Sequence, residues 1–276
     1  MKTWFITGTS GGFGRIMTEL LLERGDRVAA TLRKPESLED LKERYGEQLW
    51  IAALDVTNTD EIQTVIHRAF EKLGRIDVIV NNAGYGLFGA AEEVSDKQID
   101  HLIRTNIVGS LQVTRAALPY LRAQGGGRIL QLSSSAGQTG LPALSMYNMS
   151  KWAVEGFIEA LAQEAAPFNI QATLIEPGSA RTNFSGSSLV LAEPMKEYEE
   201  TQVGFMRKMA KQSARHVPGD PVKMVRAMID VGDAEKAPLR LTLGSDAYDA
   251  IHKSLSSRLA ALEEQKDTAY LTDFED

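Results

Sequence analysis

Thr3-Trp4-Phe5-Ile6-Thr7-Gly8-Thr9-Ser10-Gly11-Gly12-Phe13-Gly14 runs from five residues of β-forming character straight into a glycine-rich turn. Beyond it, Phe13, Ile16, Met17, Leu20 and Leu21 repeat at helical spacing, and Gly25 supplies the left-handed stop of a helix. Strand, glycine turn and helix together are what a dinucleotide needs. Glycines let the backbone approach a pyrophosphate, and its negative charge is favoured at the positive end of the helix. The spacing is Gly8-xxx-Gly12-x-Gly14 rather than the tighter G-x-G-x-x-G. A glycine turn also serves any tight strand-to-helix connection, so the flanking elements carry the inference. Gly8, Ser10, Gly12, Phe13 and Gly14 are the candidate phosphate-side residues.

Working outward, short apolar runs alternate with helical patterns. Further strands are expected at 27–32, 49–54, 76–80, 128–132, 170–175 and 239–243, and helices over 95–121 and 150–166. The clearest helix carries Ile62, Val65, Ile66, Ala69, Phe70 and Leu73, with Asn58 to cap its start and Gly74 to end it. The strands have almost no polar alternation, as in parallel sheets covered on both faces. The expected architecture is α/β: a doubly wound (Rossmann) parallel sheet of about seven strands with helices on both faces. Residues 1–245 read as one catalytic domain, 184–235 as an inserted helical substrate lid, and 246–276 as a C-terminal helix with an acidic tail. In such sheets ligands bind beyond the carboxyl ends of the strands.

Composition narrows the function. The 276 residues carry 30 Lys and Arg against 37 Asp and Glu, a net charge of −7 that argues against non-specific nucleic-acid binding. The absence of cysteine excludes disulfides, thiolate nucleophiles and zinc–thiolate sites. The four histidines, His67, His101, His216 and His252, have no metal-ligand spacing, so no metal is expected. No secretory leader is readable, and no window approaches the about 20 apolar residues of a membrane span. A cytoplasmic protein without nucleic-acid or membrane partners is the expectation.

Two further clusters follow expected strand ends. Arg33 lies 19 residues after Gly14, where an acidic residue is expected if a ribose 2′-hydroxyl must be held. Arg33 and Lys34 instead offer two cations to a 2′-phosphate, which favours NADP(H) and leaves NAD(H) open. The bland alternative is a pair of solvated loop cations. After the fifth strand come Ser133-Ser134-Ser135, then Tyr147-Asn148-Met149-Ser150-Lys151. Tyr147 and Lys151, four apart, share one helical face. A phenol has a pKa of about 10, and a nearby ammonium is expected to lower it, so that Tyr147 can exchange a proton with a carbonyl or alcohol oxygen. A serine hydroxyl would stabilise charge developing on that oxygen.

These ordered motifs resemble the short-chain dehydrogenase/reductase family, in its shorter-subunit branch, from Lys2 to about Leu243. The matching motifs are Thr7–Gly14, Asp55-Val56, Asn81-Asn82-Ala83-Gly84, Asn106, Ser134 placed 13 residues before Tyr147, Lys151, Pro177-Gly178 and Thr182. The stretch Ala30-Thr31-Leu32-Arg33 is similar to the 17β-hydroxysteroid dehydrogenase-like branch, whose arginine reads the NADP phosphate. Gly11 stands where many NADP-preferring members carry a basic residue, so the cofactor preference rests on Arg33.

The resemblance implies roles. Tyr147 is the general acid/base, and Lys151 supports it and binds the nicotinamide ribose. Ser134 orients the substrate oxygen, with Ser133 and Ser135 as alternatives. Asn106 holds a water in a proton relay, and its other reading is a helix-stabilising amide. Asp55 and Val56 flank the adenine; Asn82, Ala83 and Gly84 line the cofactor, as do Pro177, Gly178 and Thr182. The implied activity is an oxidoreductase, a ketone reductase or alcohol dehydrogenase; a non-catalytic NADP-binding sensor on the same fold is the alternative.

Phe184, Leu189, Val190, Leu191, Met195, Tyr198, Phe205, Met206 and Met209, with Tyr85, Leu87, Phe88, Leu141, Leu144 and Met146, suggest a lining for an apolar small-molecule carbonyl or alcohol. Gly186 suggests a hinge for the lid. Trp152, Val154, Phe157, Ile158 and Leu161 leave an apolar excess that suits a homodimer or homotetramer, although burial within the subunit explains part of it.

Overall fold

A computed structural model of the chain describes residues 1–182, 188–212 and 217–274, with the backbone alone at 210–212. Phe184, Gly186 and His216 lie outside the described residues. β1 (Thr3–Thr7) is buried at every position, and the chain leaves it through the glycine turn into α1 (Gly12–Glu23). Then follow β2 (Arg27–Leu32), α2 (Glu39–Tyr45), β3 (Leu49–Ala53) and α3 (Thr59–Leu73). The Asn58 side chain accepts from the Glu61 backbone N–H at 3.2 Å to cap α3, and its six expected apolar residues are all buried.

Next come β4 (Val78–Asn81), β5 (Gly86–Phe88), α4 (Asp96–Leu102), α5 (Ser110–Ala123) and β6 (Gly127–Leu132). The helix expected over 95–121 is not continuous. A π-helical stretch, Ile103–Gly109, separates α4 from α5 and carries Asn106. Such wide turns cluster at functional sites. The second half holds α6 (Ser145–Ala165), β7 (Ile170–Pro177), β8 (Leu189–Leu191), α7 (Gln202–Gln212), α8 (Pro221–Asp233), β9 (Arg240–Leu243), α9 (Ser245–Glu263) and α10 (Lys266–Tyr270).

Among the described residues, seven strands form one parallel sheet in the order β3-β2-β1-β4-β6-β7-β9. The order reverses between β1 and β4, whose pairing sets Ile6 opposite Val80. The adjoining carboxyl ends open the crevice in which doubly wound sheets bind ligands. One face of the sheet packs on α3, α5 and α6 and the other on α1 and α8, so the core is two apolar layers with the strands between.

The segment 184–235, expected to be a helical lid, divides into unlike parts. β8 pairs in parallel with β5, with Gly86 opposite Leu189, and makes a small second sheet above the crevice. α8 buries Met224, Val225, Met228 and Ile229 in the main core against α1, so its burial is that of a scaffold helix. β8 and α7 instead pack on β5 and on the residues just before Tyr147, with Leu189, Val203 and Met206 against Phe88, Ala143 and Leu144. α6 also begins five residues earlier than expected, which places Tyr147 inside its first turn.

Candidate active site

The glycine turn is shaped from β4. Asn82, just beyond that strand, donates through Nδ2 to the carbonyls of Thr7 (2.8 Å) and Gly8 (3.0 Å). The Thr7 hydroxyl in turn accepts from the Asn82 and Ala83 backbone N–H groups, each at 3.0 Å. Gly8 (φ +71°) and Gly12 (φ +55°) adopt left-handed backbone that glycine alone enters without strain. Gly14 is required by closeness, because a methyl group there would stand 2.5 Å from the Gly8 carbonyl oxygen and 2.6 Å from Asn82 Nδ2. Among the described residues no side chain caps α1, whose first turn includes Phe13, so its leading N–H groups face the crevice beside exposed Ser10. This cradle fits a pyrophosphate.

The same turn is tied to β2. Gly8 N–H, Thr9 N–H and the Thr9 hydroxyl all donate to the Thr31 carbonyl, at 2.9, 3.2 and 3.2 Å. Arg33 and Lys34, the next residues out, are exposed. Asp55, beyond β3, accepts from Thr57 N–H (2.9 Å) and Thr57 Oγ1 (2.8 Å). Partial burial would raise the Asp55 pKa; the Thr57 hydrogen bonds and the charges of Arg33 and His101 outweigh it and hold the group below its ordinary value. Its neighbour Val56 packs against Gly109 at the end of the π-helical stretch.

Across the crevice, the other candidates converge. Tyr147 is buried, and its hydroxyl is hydrogen-bonded to the Ser134 side chain, which distinguishes Ser134 from its two neighbours. Lys151 Nζ lies 5.6 Å from the centre of the Tyr147 ring and donates to the Leu132 carbonyl at 2.9 Å. A methyl on Gly84 would stand 3.9 Å from Lys151 Nζ, and one on Gly12 would stand 3.9 Å from Thr182 Cβ. The end of β4 therefore borders the lysine, and the segment after β7 borders the glycine turn. Pro177 closes β7, and Gly178 N–H donates to the Leu243 carbonyl at 2.8 Å. The Asp246 carboxylate accepts from Ser179 N–H at 2.7 Å and occupies the space a Gly178 side chain would need.

One expectation is corrected. Lys151 was expected to lower the Tyr147 pKa. In the chain itself burial dominates and pushes Tyr147 up to about 12, with the Ser134 hydrogen bond working in the other direction. Burial also pushes Lys151 down to about 8, with Glu155 opposing. Burial thus favours the neutral form of both groups.

Asn106 clamps the Tyr85 peptide from both sides: its Nδ2 donates to Tyr85 O at 2.9 Å, and its Oδ1 accepts from Tyr85 N–H at 3.1 Å. It also donates to Ser150 Oγ at 3.1 Å, which donates onward to the Tyr147 carbonyl at 2.8 Å. Nothing in the spacing of the Tyr147–Lys151 stretch sets Ser150 apart. The same holds for Asn148, whose Nδ2 donates to the carbonyls of Ala136 (2.8 Å) and Thr139 (2.6 Å) and fixes the loop that follows the serines. Adjacency to Tyr147 was the available signal for both.

On the substrate side, Phe88, Ala90, Ala143 and Val203 pack with Leu144, Leu189, Tyr198 and Met206, and Leu87, Val94, Leu102 and Ala192 with Tyr85 and Met146. Leu141, Val190, Leu191, Phe205 and Met209 are exposed, while Met195 is half-buried. Glu93 ties the two layers together. Its buried carboxylate accepts from Ala90 N–H (2.7 Å), Met195 N–H (2.9 Å) and Arg207 Nη2 on α7 (2.6 and 2.7 Å). Of the expected subunit-contact residues on α6, Val154, Ile158 and Leu161 are buried in the subunit's own core and Trp152 is exposed beneath Arg258. Among the described residues there is no cluster of metal-ligating side chains, and no helix is long and apolar enough to cross a membrane.

Comparison with known proteins agrees with this arrangement. The family profile described as short chain dehydrogenase matches residues 2–189. An oxidoreductase of Botryotinia fuckeliana, BOA17, is 40% identical over 254 residues, 92% of each chain. The crystal structure of a short-chain dehydrogenase from Streptomyces avermitilis superposes with a TM-score of 0.92 at 38% identity, covering 99% of this chain and 100% of its own. A closed form of serine dehydrogenase complexed with NADP+ superposes with a TM-score of 0.75 at 28% identity, covering 87% and 94%. The chain belongs to the short-chain dehydrogenase/reductase family, and it is an oxidoreductase of that family.

Proposed function

We propose that this protein is an NADP(H)-dependent oxidoreductase that moves a hydride between the nicotinamide and the carbon of an apolar ketone or secondary alcohol. The observation that carries the reading is the convergence of Ser134, Tyr147 and Lys151 across the crevice from a glycine turn whose uncapped helix start fits a pyrophosphate. The nicotinamide supplies the hydride when bound. Gly8, Gly12, Phe13 and Gly14 hold the pyrophosphate with Ser10 beside it, and Arg33 with Lys34 pairs the 2′-phosphate. Asp55 and Val56 flank the adenine, Asn82 to Gly84 support the middle of the cofactor, and Pro177, Gly178 and Thr182 close its nicotinamide end.

In the reductive direction a neutral Tyr147 is the correct starting form. Its phenol donates the proton to the substrate oxygen as charge develops there, and Ser134 Oγ shares that charge by hydrogen bonding. Charged Lys151 then stabilises the phenolate left behind. Asn106 holds the Tyr85 backbone in place beside Lys151, past which a proton from solvent returns to the Tyr147 phenolate.

The apolar substrate is supported by the packed wall of Phe88, Leu144, Leu189 and Met206 and by exposed Phe205 and Met209 above it. The NADP preference is supported by exposed Arg33 at the end of β2 and by the NADP+ of the serine dehydrogenase neighbour. A homodimer or homotetramer through α6 is part of the same reading, supported by Trp152 and by half-buried Phe157, and light scattering tests it.

The decisive experiment is Tyr147→Phe. Turnover of a ketone panel with NADPH is expected to fall at least 10³-fold, within the range that a general acid contributes, while NADPH still binds with nearly parental affinity. Turnover that survives the change removes Tyr147 from the chemistry, whereas a parental protein that binds NADPH and turns over no carbonyl of the panel would be the non-catalytic sensor.

A further inference from the structure

Behind the Tyr147–Lys151 turn, on the side away from the glycine turn, is a buried ionic cluster that the hydride-transfer scheme does not use. Glu155 lies one helical turn beyond Lys151 on α6 and is 5% exposed. Glu176 on β7 is fully buried. Both carboxylates share one cation: Arg240 Nε on β9 is 3.2 Å from Glu155 Oε2 and 3.3 Å from Glu176 Oε1. The same guanidinium reaches Glu159 Oε2 at 2.8 Å nearer the surface.

The two acids are not equivalent. Glu176 is fully engaged, accepting from Gln138 Nε2 (2.6 Å) and Thr242 Oγ1 (2.9 Å) as well as facing Arg240. Glu155 Oε1 and Ser133 Oγ are both buried without a well-aligned hydrogen-bond partner, and they flank one spot: a methyl on Gly137 would meet them at 2.9 and 2.6 Å. One guanidinium set among three carboxylates leaves this pocket short of positive charge. The next cation along the same helical face is Lys151.

The surroundings of Lys151 are equally lopsided. From α6 it is faced by Tyr147 and Glu155, from β6 by the Leu132 carbonyl, and from the β4 end and the π-helical stretch by Gly84 and Asn106. Among these, Glu155 is the carboxylate, and the only other ionisable acid, Tyr147, is held as a neutral phenol in the resting chain. A buried ammonium with a single carbonyl partner is unstable unless a carboxylate compensates it.

We infer that Glu155 is a positioning residue for the proposed reaction: its buried carboxylate, held by Arg240 and turned toward Ser133, keeps Lys151 charged. This rests on the role proposed for Lys151. Burial pushes Glu155 up to about 7, with Ser133 opposing, Glu176 adding to the rise, and Arg240 opposing. Its charge therefore develops as pH rises past about 7, just below the range in which Lys151 discharges. Removing it lets Lys151 lose its proton at lower pH.

The test reads Lys151 directly in the cofactor-free protein. Lysine is labelled with ¹³C at Cε, the Lys151 signal is assigned by its loss in Lys151→Met, and its titration is followed by NMR. Parental Lys151 is expected to titrate near 8. In Glu155→Gln the midpoint should fall by about one pH unit, the lower end of what a neighbouring charge contributes. Glu155→Asp should restore part of that fall, and Glu159→Gln should leave the midpoint in place. The alkaline limb of kcat for ketone reduction should move with the NMR midpoint.

An unmoved Lys151 midpoint in Glu155→Gln overturns the inference, even if activity falls, because a merely structural role would lower activity without moving the titration. If Glu155→Gln does not melt cooperatively, the uncharged Glu155→Met decides in its place: a lowered midpoint supports the role and an unchanged one refutes it. The NMR reading needs no turnover. Failure of Tyr147→Phe to abolish activity would therefore sink the proposed reaction and leave this measurement standing.

Discussion

The two sides of the crevice are made of different material. The cofactor side, between β1, β2 and β4, is built almost wholly from backbone. Its glycines take left-handed or crowded positions, and its carbonyls and N–H groups are cross-tied by Thr7, Thr9 and Asn82. The side proposed to take substrate, between β5, β8 and α7, is built from side chains, apolar among the described residues around the buried ion pair Glu93–Arg207. Backbone can be shaped to only one ligand geometry, whereas a side-chain wall can be exchanged piece by piece. The difference shows why one fold can keep its cofactor and change its substrate.

Four changes break or sharpen that contrast. The largest effect is expected at Gly14. Gly14→Ala forces a methyl against the Gly8 carbonyl and Asn82, and NADPH affinity should drop about 100-fold, some 2.7 kcal/mol. Fluorescence titration with NADPH measures it, and an unchanged affinity would mean that the turn yields as a side-chain wall does. Arg33→Ala should weaken NADPH about tenfold, as loss of a charge-assisted phosphate contact does, and leave NADH within a factor of about two; equal losses for both cofactors would end the phosphate assignment.

On the other side, Arg207→Met strips the partner from the Glu93 carboxylate. Burial alone would raise the Glu93 pKa, and at present Met195 N–H, Ala90 N–H and Arg207 together hold it low. KM for an apolar ketone should rise about tenfold, equivalent to about 1.4 kcal/mol, with NADPH affinity unchanged. A matching loss of NADPH affinity would show the two sides to be coupled. The smallest effect is expected for Phe205→Ser on the outer face of α7. If substrate reaches this side chain, which is 61% exposed in the chain alone, KM for bulky apolar ketones should rise about threefold and kcat should hold.

The same contrast sets what could be read from residues alone. The cofactor side was legible because glycine is a backbone statement: Gly8, Gly12 and Gly14 report a geometry that no other residue fits. Buried strands without alternation marked the parallel sheet, and the four-residue spacing of Tyr147 and Lys151 marked a shared helical face. The substrate side left little trace. Leu189–Leu191 is too short for any periodicity to show, yet it is a strand. Glu93 stands beside Glu92 in a charged loop and looks like half of a solvated pair, because its partners are two N–H groups and an arginine 114 residues away. The π-helical stretch was invisible for a third reason: apolar periodicity does not register one added residue in a turn. Glu155 and Glu176 read as ordinary polar positions because the arginine between them comes from the last strand of the sheet.

The tie from Asn82 to the Gly8 carbonyl spans 74 residues. During synthesis the glycine turn leaves the ribosome well before the amide that shapes it, and β1 waits with one edge open until β4 arrives to pair with it. A nascent chain that has made only its first three strands therefore has a dinucleotide sequence motif and no dinucleotide site. Ligand cannot rescue early folding, and variants that destabilise β1, β2 or β3 should lower yield in the cell in a way that abundant cofactor does not repair.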